Sequence, residues 1–317
     1  MLDTDSYRKL GKAISETHLG KRIDRYLAEH FLFHSRNQWQ GYCAERLLQV
    51  NALPVKAAYR LKLGDVISYY SPGEQEPAVD RGIKKLWEEQ GIIAVYKPSN
   101  LPMHEGGAYR LNTFAQELSK HFGENWAAVH RLDRETSGIV ICAEDKNLRN
   151  ELSIYFRQRE ITKTYLAIAI GVGTRDSWEV DAPIGPCPNT RFRTKQAVVS
   201  DGLPAQTSFR VLAKTSRFTL LAVSPKTGRT HQIRVHAAYS GLPLVGDKKY
   251  HPNEEVYLEY LEHGYTEKVR EHCFAERMCL HAAALSFIHP LSGRSHQLDC
   301  PLPEDMSEIW ARLQRDL

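Results

Sequence analysis

The 317-residue sequence predicts an α+β protein in two parts, and three observations predict it. Amphipathic helical stretches and apolar strand-like runs are mixed along the chain, without the strand–helix alternation of a doubly wound sheet. The length exceeds that of a common single domain. The stretch SPGEQEPAVDRG, rich in proline, glycine and charge and lacking an apolar period, separates a small N-terminal region from a longer β-rich one. The expected division is a unit at residues 12–71, a linker at 72–82 and a main domain at 83–317.

The elements follow in order. KRIDRYLAEHF places Ile23, Tyr26, Leu27 and Phe31 at helical spacing. SRNQWQGYCAERL opens with a serine cap and turns Trp39, Tyr42, Cys43 and Leu47 to the inner side of a second helix. LLQVNALPVKAAYRLKLGDVISYYSP reads as short strands between turns, with LGD as the strongest turn signal. Beyond the linker, GIIAVYKPSNLPMH is a strand that ends in a proline turn, TFAQELSKHF a helix, and SGIVICAED an apolar strand. NLRNELSIYFRQREI is a helix and TKTYLAIAIGV a long strand. QTSFRVLAKTSRFTLLAVSPKTGRTHQIRVHAAYSG holds two strands, a Gly-Arg turn and the approach to a helix. CLHAAALSFIHPLSG repeats the strand-and-turn pattern near the end.

Composition excludes several classes. No run approaches eighteen apolar residues, so a membrane span is not expected. The polar, partly acidic start MLDTDSYRKLGK is unlike a secretory signal. The six cysteines are scattered without a CxxC pair, which argues for reduced thiols and a cytoplasmic location, not for a disulfide framework or a zinc knuckle. The net charge of +4 is small, but it is unevenly spread. Residues 154–234 carry thirteen Lys or Arg against five Asp or Glu, and residues 251–277 carry seven Glu against three Lys or Arg. Such segregation builds a basic face that the total conceals. In the 12–71 unit, Arg22, Arg25, Arg36, Arg46 and Arg60 fall on polar positions and are expected to form one basic face able to meet the phosphates of a polyanion.

HRLDRETSG (His130–Gly138) resembles the HRLDxxTSG signature of RluA-type pseudouridine synthases, with every fixed position matched. GIIAVYKPSNLPMH is similar to that family's Lys-Pro strand and turn, and REITKTYLAIAIG to its second motif. KTGRTHQIRVHAAYSGLPLVGDKKY is similar to the third, and LHAAALSFIHPLSG to the terminal strand. Together these ordered motifs, over Gly91–Gly293, make chance agreement remote. The 12–71 unit resembles the S-four-type RNA-binding module with its αL fold. It departs where that module usually has glycines around a V-x-V-N strand: here stand Leu48 or Gln49, and Ala52.

The resemblance implies a mixed, mainly antiparallel sheet of pseudouridine synthase type, an RNA substrate and no cofactor. It also implies three catalytic residues. Asp133 is the carboxylate, acting as nucleophile or as base. Arg234 of HQIRVH is the cation that keeps it ionised, and Tyr165 offers a face for the base and a phenol near carbon 5. Arg131 resembles the arginine that replaces an extruded base, since a paired uridine is unreachable unless flipped. Taken singly, Asp133 reads first as a helix cap or surface ion pair, Tyr165 as strand core and Arg234 as a snorkelling side chain. The joint pattern decides. His130, His231, His236 and His281 lack metal-ligand spacing and are expected to be structural or RNA-facing, with no metal. The expected activity is uridine isomerisation in large-subunit ribosomal RNA by a monomer. Transfer RNA as target, or a catalytically retired RNA-binding protein, is the alternative. A metal-dependent nuclease would need clustered carboxylates, and only Glu135 neighbours Asp133.

Overall fold

A computed structural model describes residues 8–11, 13–31, 34–70, 76–192 and 194–315. Lys12 and residues 71–75, where the expected unit boundary and the first part of the linker fall, lie outside the described residues. The chain forms two compact units. One runs to Pro77 and includes Gly106–Ala108; the other takes Ala78–Glu105 and Tyr109–Leu317.

The first unit contains β1 (Arg8–Leu10), α1 (Ile23–His30), α2 (Arg36–Ala44), β2 (Leu48–Val50), β3 (Leu53–Pro54) and β4 (Ile67–Tyr69). Its strands are antiparallel in the order β1-β4-β2-β3. Ile23, Leu27, Trp39, Leu48 and Ile67 fill its core. Ser35 caps α2 by accepting from the Gln38 amide, and Gln38 Oε1 accepts in return from the Ser35 amide at 2.7 Å. The LGD turn closes on buried Asp65, which accepts from Asn51, Tyr59 and the Lys62 amide.

The glycine departures have a structural outcome. The residue with positive φ before β2 is Arg46 (φ 62°), not Leu48 or Gln49, which lie inside the strand. The β2–β3 hairpin turns on Asn51 (φ 51°) and Ala52 (φ 64°), the type I′ geometry in which Asn-Gly is the usual pair. Ala52 carries a Cβ where only glycine is unstrained.

The second unit holds β5 (Lys84–Glu89), β6 (Ile92–Lys97), α3 (Phe114–Phe122), β7 (Ala127–Ala128), β8 (Ser137–Ala143), α4 (Lys146–Gln158), β9 (Thr162–Ile170), β10 (Ser177–Asp181), β11 (Ile184–Pro186) and β12 (Gln196–Val198). It continues with β13 (Gln206–Lys214), β14 (Phe218–Pro225), α5 (Gln232–Tyr239), α6 (Glu255–His263), α7 (Glu267–Cys273), β15 (Leu280–Ile288), β16 (Ser295–Asp299) and α8 (Glu304–Arg315). Eight strands run in the order β10-β13-β14-β9-β15-β8-β6-β5, with β16 paired to β15 and β7 to β8; β11 and β12 form a separate ribbon. The sheet is antiparallel except between β15 and β8. This is the α+β, mainly antiparallel architecture expected from the sequence.

Burial explains the unbroken apolar run of SGIVICA. Every residue of β8 is buried, because both faces of the sheet are covered. Ile139 and Ile141 join Ile92, Ala94 and α4 residues Leu148 and Leu152 on one face; Val140 and Cys142 join Ile93, Val95 and α3 residues Phe114 and Leu118 on the other. Further along the sheet, Ala167, Leu221 and Val223 pack under Ile233 and Ala237 of α5. The elements that sequence periodicity did not reveal are the short or edge strands β1, β5, β7, β10–β12 and β16, and the helices α6–α8.

Gly138 stands at the parallel junction, opposite Ala282, with φ 119°. A Cβ there would lie 2.2 Å from the Ala282 carbonyl oxygen, so the last residue of the HRLDRETSG signature is fixed by strand approach.

Ala52→Gly is expected to stabilise the first unit by up to about 1 kcal/mol, the left-handed strain relieved less the added chain entropy. Urea unfolding followed by circular dichroism checks this. An unchanged or lower midpoint contradicts it.

Candidate active site

Asp133 lies in the loop between β7 and β8. The Thr136 amide donates to the Asp133 carbonyl at 3.1 Å and closes the turn. From beneath, the buried Lys97 ammonium donates to three carbonyls: Pro98 at 2.8 Å, Leu101 at 2.8 Å and Arg134 at 3.0 Å. Ser99 Oγ donates to the Glu135 carbonyl at 2.9 Å. The Lys-Pro turn is thus the footing of the carboxylate loop. Burial pushes the Lys97 amine down to about 7, with Asp133 opposing that shift. His130 anchors the other end, its Nε2 accepting from the Ile141 amide at 3.0 Å. Burial and the Lys163 charge hold it neutral, pushed down to about 3.

Arg234 comes from α5. The turn before it is locked by Gln232, which accepts from Thr227 Oγ1 and the Arg229 amide and donates to the Gln206 carbonyl and Thr207 Oγ1. Arg234 Nη1 donates to Asp133 Oδ2 at 2.9 Å. Its other edge donates to Asp247, Nε to Oδ2 at 2.7 Å and Nη2 to Oδ1 at 2.9 Å. Side-chain exposure falls from 22% at Asp133 through 11% at Arg234 to 1% at Asp247. The guanidinium also lies 4.8 Å from the Tyr250 ring centre. Burial alone would raise the Asp133 carboxyl; Arg234 chiefly, with smaller help from His231 and Arg131, holds it below the ordinary aspartate value.

Asp247 was not singled out in the sequence, although its signal was present as the glycine–aspartate step in LVGDKKY. Gly246 has φ 78°, and a Cβ there would lie 1.8 Å from the Arg277 carbonyl oxygen. Tyr250, three residues on, accepts from the Gln196 amide and shares a 2.8 Å hydrogen bond with His231 Nδ1. Burial and Arg234 push His231 down to about 4, so its ring is neutral.

Tyr165 sits on β9, paired with Val223 of β14 and Ala282 of β15. It is half-buried and touches both core clusters on its face of the sheet. Burial and Asp133 push its phenol far up, so the hydroxyl is neutral. Asp133, Tyr165, Arg234 and Arg131 all line one cleft of about 580 Å³. Its other charged walls are Arg157, Arg159, Lys163, Lys226 and Arg229. Among the described residues, seven cations and one carboxylate line this cleft. Arg134, the second arginine beside Asp133, turns away to Tyr109 and Glu135.

The remaining predicted residues are distributed as follows. His236 and His281 are buried and hydrogen-bonded to Thr207 and Ala182, and to Ser137 and Cys300. Among the described residues no group of three or more His, Cys, Asp or Glu is placed to hold a metal ion, and no helix is long and apolar enough to cross a membrane. In the first unit Arg22 and Arg36 both bind buried Asp24, at 3.0 and 2.9 Å, and Gln40 adds a third donor. Burial opposes the Asp24 charge, but these donors hold its carboxyl far below the usual range. Arg60 donates to the Gly20 carbonyl, while Arg25 and Arg46 are exposed.

A basic cleft with one ionised carboxylate and a neutral phenol on its floor defines an enzyme that works on a polyanion. Residues 91–239 match the family described as RNA pseudouridylate synthase. The "Uncharacterized RNA pseudouridine synthase YlyB" of Bacillus subtilis (strain 168) is 31% identical, covering 95% of this chain and 97% of its own length. The ribosomal large subunit pseudouridine synthase D of Vibrio cholerae is 31% identical over 97% of this chain and 96% of its own. The solved structure titled human RNA pseudouridylate synthase domain containing 4 superposes with TM-score 0.57 at 25% identity, covering 73% of this chain and 92% of that one. The chain belongs to the RNA pseudouridylate synthase family, isomerases that act on RNA.

Asp247→Asn leaves Arg234 oriented by one carboxylate instead of two. We expect kcat, read as tritium released from carbon-5-labelled uridine in RNA, to fall about tenfold to a hundredfold with KM changed far less. A wild-type kcat would show that Asp247 has no part in holding the arginine.

Proposed function

We propose that this chain converts uridine to pseudouridine in large-subunit ribosomal RNA, with Asp133, Arg234 and Tyr165 as its catalytic residues. The observation that carries the catalytic assignment is the Arg234–Asp133 pair, the one carboxylate among seven cations in the cleft. The choice of RNA rests on relatives named ribosomal large subunit pseudouridine synthase D that match over nearly their whole length.

The reaction breaks the bond from ribose carbon 1′ to ring nitrogen 1, turns the uracil and forms a carbon 1′ to carbon 5 bond. The carbon-5 proton is lost and nitrogen 1 gains one, so no atom is added overall. Asp133 supplies the anion at the sugar. Attack on carbon 1′ and removal of the carbon-2′ proton both require it ionised, which is the state Arg234 maintains. Tyr165 offers a stacking face and a neutral hydroxyl, able to hold the base by hydrogen bonding while it turns. Arg131, exposed on the cleft lip beside Asp133, is the residue suited to fill the gap left by a flipped nucleotide.

The first unit acts in this reading as an S-four-type RNA-binding module, joined through the 72–82 linker to a catalytic domain at 83–317. Its phosphate contacts fall chiefly to Arg25 and Arg46. Arg22 and Arg36 are shared with Asp24, so their charge is partly spent inside the protein.

Asp133→Asn is nearly isosteric and is expected to reduce tritium release below about one-hundredth of wild type while RNA binding persists. Higher activity contradicts the assignment. The Arg25→Gln, Arg46→Gln double variant should raise KM on a large-subunit ribosomal transcript and leave kcat within about twofold. An unchanged KM contradicts the role given to the first unit.

A further inference from the structure

Lys163 is a half-buried cation of the cleft wall to which the described residues give no carboxylate and a single long hydrogen bond. It is half-buried on β9, and it shares the cleft face with Tyr165, two residues on. Among the described residues it has no carboxylate partner. Its Nζ reaches a single acceptor, the Thr227 carbonyl, at 3.5 Å, and lies 5.9 Å from the Phe156 ring centre.

The neighbours differ. Arg234 has two carboxylates. Lys226 pairs with Glu179 at 3.1 Å, and Arg229 donates to the Pro204 carbonyl. Arg157 and Arg159 are exposed to water. Lys97, also a lysine and fully buried, has a carbonyl for each of its three N–H groups. An ammonium has three donors to satisfy and no acceptor capacity, and taking its charge out of water costs several kcal/mol unless an anion compensates. Burial lowers the Lys163 amine from its ordinary value, and no acid counters that shift. Phe156 offers the ammonium a ring face but neither a counter-charge nor a hydrogen-bond acceptor for its free N–H groups.

We infer that Lys163 is a phosphate-binding residue, and that the anion it lacks is a backbone phosphate of the RNA beside the nucleotide held on Tyr165. The spacing agrees: residues i and i+2 of a strand stand roughly 7 Å apart, about one nucleotide step along a sugar–phosphate chain. A phosphate brings full charge and several oxygen acceptors to the two unused N–H groups. A uracil carbonyl would bring neither charge nor a salt dependence.

The inference rests on the proposed RNA substrate, and its test separates the two. The probe is an unmodified large-subunit ribosomal transcript. Its affinity is measured from low to moderate salt with Asp133→Asn protein, alone and combined with Lys163 substitutions; tritium release is measured with Asp133 intact. Each neutralised phosphate contributes about 0.7 to 0.9 to the slope of log affinity against log salt. Lys163→Gln is expected to reduce that slope by about this amount and to weaken binding roughly tenfold, with kcat within about threefold. Lys163→Arg keeps the slope. Lys214→Gln, outside the cleft and paired with Asp176, keeps both slope and affinity. Lys163→Met, whose stem can still pack on Phe156, replaces the Gln variant if melting shows the latter unfolded. An unchanged slope and affinity in a folded Lys163 variant overturns the inference, as does a collapse of kcat at unchanged slope. A wild-type protein that neither binds the transcript nor releases tritium contradicts the functional reading itself.

Discussion

A single guanidinium, Arg234, held between two carboxylates, is the constraint on which the rest of the site depends. Asp247 takes its Nε edge and Asp133 its outer nitrogen. The two acids differ in surroundings and so in duty. Asp247 is sealed off, bound to Arg234 and to the Tyr250 amide, while Asp133 keeps an exposed edge toward the cleft. Removing one partner from such a buried set typically costs about 3–5 kcal/mol, because the remaining charge is left uncompensated. The arrangement therefore specifies geometry and protonation state together.

The scaffold is built to keep that pair in register. Lys97 and Ser99 tie the Lys-Pro turn to the backbone of the carboxylate loop, and Gly138 lets β8 close on β15 immediately after it. Gly246 does the same for Asp247 by permitting contact with the Arg277 carbonyl. On the opposite wall, Gln232 fixes the turn that leads into α5 and so the direction of Arg234. The Asp133 loop and the segment that holds Arg234 and Asp247, about a hundred residues further on, converge on one salt-bridged chain of charge, each tied by side-chain hydrogen bonds to backbone groups.

Much of this was legible in the sequence. The α+β class, the long strands, and Asp133, Tyr165 and Arg234 follow from periodicity and from ordered motifs, and the structure brings those three residues to one cleft. The Lys-Pro turn was legible as a motif, but the Lys97 contact with the Arg134 carbonyl depends on a fold that joins residues 37 positions apart. Asp247 was hidden in a long motif, because an acid that orients another side chain looks like any turn aspartate. Arg22 and Arg36 read as free surface charge, since the burial of Asp24 between them is a tertiary fact. Strands β1, β7, β11 and β12 escaped notice because two or three residues offer too few periods to detect, whereas α8, twelve residues long, had periods enough and was overlooked.

The central claim is that Arg234 keeps a partly buried Asp133 ionised. Selective labelling of aspartate side-chain carboxyl carbons, with the Asp133 signal assigned by its loss in Asp133→Asn, measures this by a nuclear magnetic resonance pH titration. A depressed folded-state pKa contributes stability above the unfolded value and loses it only as pH falls through the folded one. The wild-type signal should therefore titrate below the ordinary aspartate value of about 3.9, and in Arg234→Gln, where burial is left unopposed by its main counter-charge, above it. An Asp133 titration that is the same in both proteins would contradict the account.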